Sequence, residues 1–384
     1  MVIIIVSLLL NILIIVAQHK NYYNYVVDIF SLCFSVSNIG PKRYQTLLNK
    51  FETVEEAWNG TKEQYYELSI KYKTFDTFNN FRKTFDIEKY ITKLNKEKVV
   101  FISFLDKRYP KGLKKLENPP IGIFVKGNIG LLKPELRIGV VGTRKITTYG
   151  KSATETLVSD LVSNGVCIVS GLALGVDGTA HRTAVSNNGK TIAVLACGVD
   201  CCLPSENYSL YIDILKNKGL IVSEYPLSQT PNKGTFLARN RIIAALSDGV
   251  LVTEAANDSG SLVTAEWGLK LEKKVFAVPG QITSRMSDGS LKLLKQGAKL
   301  VTRVEDILDE FRDQRSNIKS KLKSQKFKNL TNDERKIVLL LENEPLTIDE
   351  ISKKTKVDVL KTIQLIGELE LKGVVKNERG KISI

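Results

Sequence analysis

Histidine, methionine and tryptophan are scarce in this chain, with two of each in 384 residues. The histidines are His19 and His181, so no histidine-rich metal cluster can form, and His181 alone falls inside the central block. No G-x-S-x-G elbow is present, no Walker A lysine motif, and no G-x-G-x-x-G after the block's first strand. These gaps exclude the familiar cradles for ATP and NAD and leave no complete catalytic constellation, so neither cofactor nor chemistry is expected. Cysteine is limited to Cys33, Cys167, Cys197, Cys201 and Cys202, an odd number set mostly in apolar runs. That argues against a disulfide framework and for a reducing compartment, the cytoplasm. Cys197, Cys201 and Cys202 lie close together, but no fourth ligand stands at a usual zinc spacing. A membrane-length apolar run is missing too. Val2 to Ala17 is apolar apart from Ser7 and Asn11, shorter than the ~20 residues a spanning helix needs. It lacks a basic n-region and a small-residue cleavage site, so residues 1–27 read as an apolar extension.

Basic residues, by contrast, are abundant: 56 Lys and Arg against 41 Asp and Glu, a formal charge of +15. A surplus of that size fits a polyanionic partner, nucleic acid or anionic membrane. An AT-rich genome favouring lysine codons gives the same surplus, so charge alone decides little. The length allows two or three domains.

Residues 28–97 carry aromatic and aliphatic residues at helical spacing and read as a small helical domain of SAM or helix-hairpin type. Within it, Gly40-Pro41 is a turn followed by Lys42 and Arg43 at a helix start, a place for a phosphate or a plain helix-helix turn. Two short strands follow, KVVFISF and IGIFVKG, joined through Asn118-Pro119-Pro120.

From Leu136 the texture changes. Strand candidates at 136–142, 166–171, 191–197, 219–225, 249–255 and 274–279 are Val, Ile, Leu and Ala runs without clean alternation. Such runs suit strands buried on both faces. Helical patterns at 149–164, 205–218, 236–247 and 261–273 separate them. The alternation predicts an α/β fold with a Rossmann-like, doubly wound, mostly parallel sheet over about 98–312. Ligands of such sheets lie beyond the carboxyl ends of the strands. Those ends are Gly142-Thr143-Arg144, Ser170-Gly171, Cys197-Gly198, Ser223-Glu224, Glu254 and Pro279-Gly280. Glycine allows close approach to the backbone, following helices offer N–H groups, and arginine adds a planar fork, so the expected ligand bears phosphate. Asp177 is expected to cap the helix after the second strand, and His181 on that helix to serve a structural hydrogen bond. Arg239-Asn240-Arg241 is expected to open a helix, one arginine facing ligand and the other braced by an ion pair, because i and i+2 do not share a helix face. Ser259, Gly260, Ser261 and Thr264 gather small donors at another helix start.

Residues 313–328 read as a basic tether, able to graze a phosphate backbone or simply to link. Residues 329–384 read as three helices and a two-strand wing, a winged-helix domain. Its third helix carries Gln364, Glu368 and Glu370 beside Lys361 and Lys372, poor in bases for reading a DNA groove, so a protein contact suits it equally.

Several ordered pieces of the core resemble the DprA/Smf family of DNA-processing proteins: VVGTRKITTYG, SGLALGVDGTAHRTA, TIAVLACGVDCCLPSEN, SEYPLSQTP, FLARNRIIAALSDGVLVTEA, SGSLVTA, VFAVPG and SDGSLKLLKQGA. The resemblance covers about 100–303. It implies a core that binds and protects single-stranded DNA, helps load the RecA recombinase in natural transformation, and dimerises through that core. Carried over by position, the strand-binding residues are Gly142, Thr143, Arg144, Ser170, Gly171, Gly175, Asp177, Arg239, Asn240, Arg241, Ser259, Gly260, Ser261 and Thr264. Arg144 is expected to clamp a backbone phosphate while loop N–H groups bind neighbouring oxygens. The chain departs from the family pattern at Leu203, where an aromatic is usual, at Phe236-Leu237 in place of Phe-Pro, and at Leu291 in place of Asn.

Two other readings compete. Gly260-Ser261, Thr264 and Glu266 faintly resemble the loop of lysine-decarboxylase-like phosphoribohydrolases, in which Glu254 or Glu266 would assist nucleotide cleavage. A membrane-tethered DNA receptor would use the apolar extension.

Overall fold

The computed structural model of the protein describes residues 22–133, 136–312, 331–341, 344–371, 374–378 and 380–383. The apolar stretch 2–17 and the basic tether 313–328 lie outside these. Among the described residues no helix is long and apolar enough to cross a membrane. The chain divides into two compact units, residues 1–310 and 311–384.

Among the described residues the first unit begins with six helices: α1 (Tyr22–Val36), α2 (Pro41–Lys50), α3 (Val54–Asn59), α4 (Lys62–Glu67), α5 (Tyr72–Thr84) and α6 (Ile87–Lys96). Thr53, Thr61 and Asp86 each accept a backbone N–H from the first turn of the helix they precede, which fixes where those helices begin. Aromatic rings fill the space between them. Phe34 and Tyr65 each stack on Phe78 with centroids 5.5 Å apart, and Trp58 meets Phe78 edge-on at 5.0 Å. Helix α6 turns elsewhere: Leu94, with Ile87, Tyr90 and Ile91, packs into a cluster that includes Phe124, Ala193 and Ile221 of the sheet.

Nine strands form one sheet among the described residues. In chain order they are β1 (Val99–Ser103), β2 (Gly122–Gly127), β3 (Arg137–Val141), β4 (Cys167–Ser170), β5 (Thr191–Val194), β6 (Leu220–Ser223), β7 (Gly249–Val252), β8 (Lys274–Ala277) and β9 (Lys299–Leu300). Across the sheet the order is β1-β2-β6-β5-β4-β3-β7-β8-β9. The β1–β2 and β2–β6 pairs are antiparallel and the rest are parallel. The two short strands ahead of Leu136 therefore extend the sheet as an antiparallel edge. Alternate residues of one strand enter different clusters: Leu220 and Val222 pack with Ile192 and Val194, while Ile221 packs with Ala193 and Leu210. Both faces are thus covered, as the unbroken apolar runs require. Each buried Val, Ile or Leu contributes roughly 1.5–3 kcal/mol.

A short helix α7 (Lys111–Lys114) joins β1 to β2, and the crossover helices are α8 (Thr148–Ser163), α9 (Val176–Ser186), α10 (Tyr208–Lys216), α11 (Lys233–Leu246), α12 (Ser261–Lys270) and α13 (Asp288–Lys295). On α8 the buried residues Thr154, Leu157, Val158 and Leu161 recur at helical spacing and form its apolar stripe. From β3 the chain winds outward through β4, β5 and β6, then returns to place β7 on the free edge of β3. Connections leaving β3 and β7 part in opposite directions and open a crevice at the carboxyl edge, the position where such sheets bind ligands. A four-residue helix α14 (Glu305–Leu308) follows β9.

The second unit has α15 (Asn332–Leu341), α16 (Ile348–Thr355), α17 (Val359–Leu371) and the antiparallel hairpin β10 (Lys376–Glu378) and β11 (Lys381–Ser383). Ile337, Ile351, Ile366, Leu369 and Ile382 close its core. Three helices and a wing are the winged-helix arrangement.

Candidate functional site

A cavity of about 510 Å³ occupies the crevice between β3 and β7. Its first wall is the loop Gly142-Thr143-Arg144-Lys145. The Thr143 N–H donates to the Glu254 carbonyl at 2.7 Å, and the Thr143 carbonyl accepts the Val176 N–H at 3.1 Å. The loop is therefore pinned between the end of β7 and the start of α9. Gly175 makes that pinning possible: its φ is +75°, and a Cβ there would collide with the carbonyls of Thr143 and Arg144. Arg144 is exposed, with its guanidinium carbon 4.8 Å from the centroid of the Phe236 ring. Such a contact holds the planar fork by cation–π attraction while leaving its edges open to an anion.

The floor is a buried charge pair. Asp177 accepts the Gly171 N–H at 3.1 Å. The Arg239 guanidinium packs so closely over Gly171 that a Cβ there would collide with it. Burial pushes the Asp177 carboxyl up, and the charge of Arg239 with the Ala173 and Gly171 N–H groups pulls it back. Burial likewise lowers Arg239, and Asp177 opposes it. Arg239 Nη1 donates to the Val194 carbonyl at 2.7 Å, yet its Nε has no acceptor among the described residues. Thr264 Oγ1 is also buried without a partner. Both residues line the cavity, and buried polar groups left unpaired are what a polar ligand would satisfy.

The far wall is the first turn of α12. Ser259, Gly260, Ser261 and Thr264 line it, with Ser259 and Ser261 hydroxyls 2.7 Å apart. Asn240 Nδ2 donates to the Gly260 carbonyl at 3.0 Å and ties that turn to α11. Arg285 and Met286, from the connection after β8, close the mouth.

The cavity thus collects ten of the residues expected from sequence: Gly142, Thr143, Arg144, Asp177, Arg239, Asn240, Ser259, Gly260, Ser261 and Thr264. Ser170, Gly171, Gly175 and Arg241 stand behind the lining. Ser170 Oγ donates to the Val140 carbonyl at 2.6 Å and serves the sheet. Arg241 pairs with Glu224, the two side chains 11% and 7% exposed, which is the bracing role expected of one arginine in the triplet. Two local expectations are corrected. Asp177 does not cap α9, because Gly175 holds the N-cap position and the carboxylate reaches back to Gly171 instead. The Arg239-Asn240-Arg241 triplet does not open α11, because a capping box between Asn232 and Thr235 starts that helix at Lys233. Lys145, Asp258, Arg285 and Met286 also line the cavity without having been singled out from sequence, and Phe236 and Leu237, noted there only as a departure from the family pattern, line it too. The nearest signals were the Gly142-Thr143-Arg144 loop, beside Lys145, and the Pro279-Gly280 strand end, a few residues before Arg285.

The acid–base candidates named from sequence, Glu254, Glu266 and His181, all stand off the cavity lining. Both carboxylate oxygens of Glu254 accept from Thr147, from its N–H at 2.8 Å and its hydroxyl at 2.6 Å. Glu266 is exposed and off the lining. His181 is fully buried against Thr191 Oγ1 at 2.7 Å, and burial pushes its imidazole down to about 3, so it stays neutral and structural as expected. Its role is to tie α9 to β5.

Comparison with known proteins follows the same lines. A family model described as DNA recombination-mediator protein A matches residues 100–312, and a DprA winged helix domain model matches 323–381. DNA processing protein DprA of Streptococcus pneumoniae is 44% identical over 220 residues, 57% of this chain and 77% of that protein. DprA of Bacillus subtilis is 41% identical over 209 residues, 54% of this chain and 70% of that protein. The X-ray structure of S. pneumoniae DprA superposes with a TM-score of 0.63 at 35% identity, covering 76% of this chain and 98% of that one. A Helicobacter pylori DNA processing protein A structure, concerned with its single-stranded DNA binding mode, gives a TM-score of 0.51 at 34% identity, over 56% of this chain and 96% of that one. The chain belongs to the DprA/Smf family of DNA-processing proteins.

Proposed function

We propose that this protein binds single-stranded DNA at the switch-point cavity, protects it, and as a dimer joined through its sheet domain hands it to RecA in the cytoplasm during transformation. In this reading residues 28–97, 98–312 and 329–384 are separate functional parts, with 313–328 a tether. The observation that carries it is the cavity's make-up. Arg144, Lys145 and Arg285 offer charge at the mouth, while Arg239 and Thr264 keep buried donors without acceptors among the described residues. Arg144 would take one backbone phosphate, and Lys145 and Arg285 its neighbours, with no base edge read. The relative from H. pylori, whose single-stranded DNA binding has been described structurally, supports the same ligand class. The pinning of Glu254 on Thr147 and the burial of His181 favour binding without chemistry over nucleotide hydrolysis.

The test is a salt-resolved titration with single- and double-stranded oligonucleotides. Single strands should bind more tightly, and log K should fall with log[salt] at a slope of about −2 for three phosphates. Binding by Arg144→Ala as tight as wild type would sink the site. Release of free base from nucleoside monophosphates would revive the enzyme reading. Retention of RecA on the immobilised protein, and a concentration-dependent mass in sedimentation, test the two protein partners.

A further inference from the structure

A second concave surface lies on the helical head. It encloses about 570 Å³ between the end of α5 and the length of α6. Phe81 and Phe85 stack there with centroids 4.6 Å apart and planes 24° from parallel, and Tyr90 adjoins Phe85 at 5.6 Å. Lys89, Lys93 and Lys96 line the same groove. Their spacing of four and three residues places all three on one face of α6. The groove's carboxylate, Asp86, is committed to capping α6 through the Lys89 N–H at 2.9 Å.

Position adds to composition. Tyr90 Oη accepts the Leu227 N–H at 2.9 Å, and Lys93 Nζ donates to Ser228 Oγ at 2.6 Å with Asp200 at 3.9 Å. Leu227 and Ser228 belong to the connection that leaves the carboxyl end of β6 and enters α11, the helix bearing Phe236 and Arg239. The groove is therefore held on the carboxyl edge of the sheet, the edge that carries the cavity. Lys89 and Lys96 remain exposed.

We propose that this groove is a second contact for single-stranded DNA, with Phe85 and Phe81 stacking bases while Lys89 and Lys96 hold the phosphates between them. Aromatic faces alternating with cations are how proteins grip a single strand without reading its sequence. The inference rests on single-stranded DNA being the ligand of the cavity, and it assigns the head a share of a longer strand. An acidic protein segment would meet the lysines but gain nothing from paired rings.

The test uses the full chain, a six-nucleotide and a twenty-nucleotide oligothymidylate, and the double variant Lys89→Glu/Lys96→Glu, with thermal unfolding as the fold control. The twenty-mer should bind about tenfold more weakly and its salt slope should shrink by about 1.4, while the hexamer, held by the cavity, is unaffected. Phe85→Leu keeps the charge and removes the ring, and should weaken the twenty-mer at least about fivefold. Unchanged twenty-mer binding in both variants overturns the groove, and a loss with the lysines but none with Phe85→Leu overturns the stacking. Arg144→Ala separates the two sites. If it leaves hexamer binding intact while Lys89→Glu/Lys96→Glu still weakens the twenty-mer, the cavity reading fails and the groove stands.

Discussion

The cavity at the sheet edge and helix α17 of the winged-helix unit occupy the positions where their folds usually meet a ligand, yet they are built of opposite materials. The cavity presents Arg144, Lys145 and Arg285, and keeps Arg239 Nε and Thr264 Oγ1 without partners among the described residues. Helix α17 exposes Val359, Leu360 and Ile363, and its lysine Lys361 is tied to Asp333 at 3.1 Å. Gln364 on the same helix donates to Glu368 at 3.2 Å. A surface that spends its cations on internal pairs and shows apolar side chains is poorly made for phosphate. The difference teaches that the polyanion partner suggested by a charge of +15 is to be sought on the first unit and not on α17.

The sharpest division inside the first unit is between two arginines on α11. Arg239 faces the cavity floor, and Arg241, two residues on, is buried in a pair with Glu224. Arg241→Leu should therefore give the largest effect of all, and on stability alone. Removing one partner of a buried pair leaves an uncompensated charge and costs about 3–5 kcal/mol. An unfolding free energy from urea titration lowered by that amount, with oligonucleotide affinity of the folded fraction unchanged, is the expected outcome. Weakened DNA binding at unchanged stability would move Arg241 into the site.

Arg144→Ala should do the reverse. Its guanidinium is exposed over Phe236 and holds no structural bond in the loop, so stability should stay within about 0.5 kcal/mol. Affinity for a single strand should fall by about 1.5–3 kcal/mol, the range of a hydrogen bond to a charged group, and the salt slope should drop by about 0.7. Titration at three salt concentrations reads both numbers.

The contrast also marks what the sequence could reveal. Strands β3 to β8 were legible because burial on both faces demands unbroken apolar runs, and the parallel topology follows from the helices between them. The glycine and serine loops were legible because they sit at strand ends, where the topology delivers them to one crevice. Arg285 and Met286 were not, since a loop after β8 reaches the cavity mouth by a path that leaves no periodic trace. Nor was the role of Asp177: a carboxylate near a helix start reads as a cap, and only the tertiary approach of Gly171 and Arg239 turned it to the floor. The start of α11 was misplaced because the apolar run begins at Ile242 while the Asn232–Thr235 capping box sets the boundary ten residues earlier.

Thr264→Val tests the unpaired donors directly. The hydroxyl is buried and finds no acceptor among the described residues, so replacing it with a methyl group should leave stability unchanged or slightly raised, because an unsatisfied group is removed. If a strand supplies the missing partner, affinity should fall by about 0.5–1.5 kcal/mol. Lower stability with unaltered affinity would mean that the hydroxyl is bonded within the fold and that the cavity wall is structural.

The smallest effect should come from the other region. Leu360 is 78% exposed and Ile363 47% exposed on α17, so Leu360→Ser/Ile363→Ser removes little buried surface and should shift stability by only about 0.5 kcal/mol. Single-strand affinity and its salt slope should match wild type, since neither residue carries charge and the lysine on that helix is already paired. A measurable loss of DNA binding in this variant would place part of the strand on α17 and erase the contrast between the two regions. Unchanged binding leaves the apolar face of α17 with no share in holding the strand.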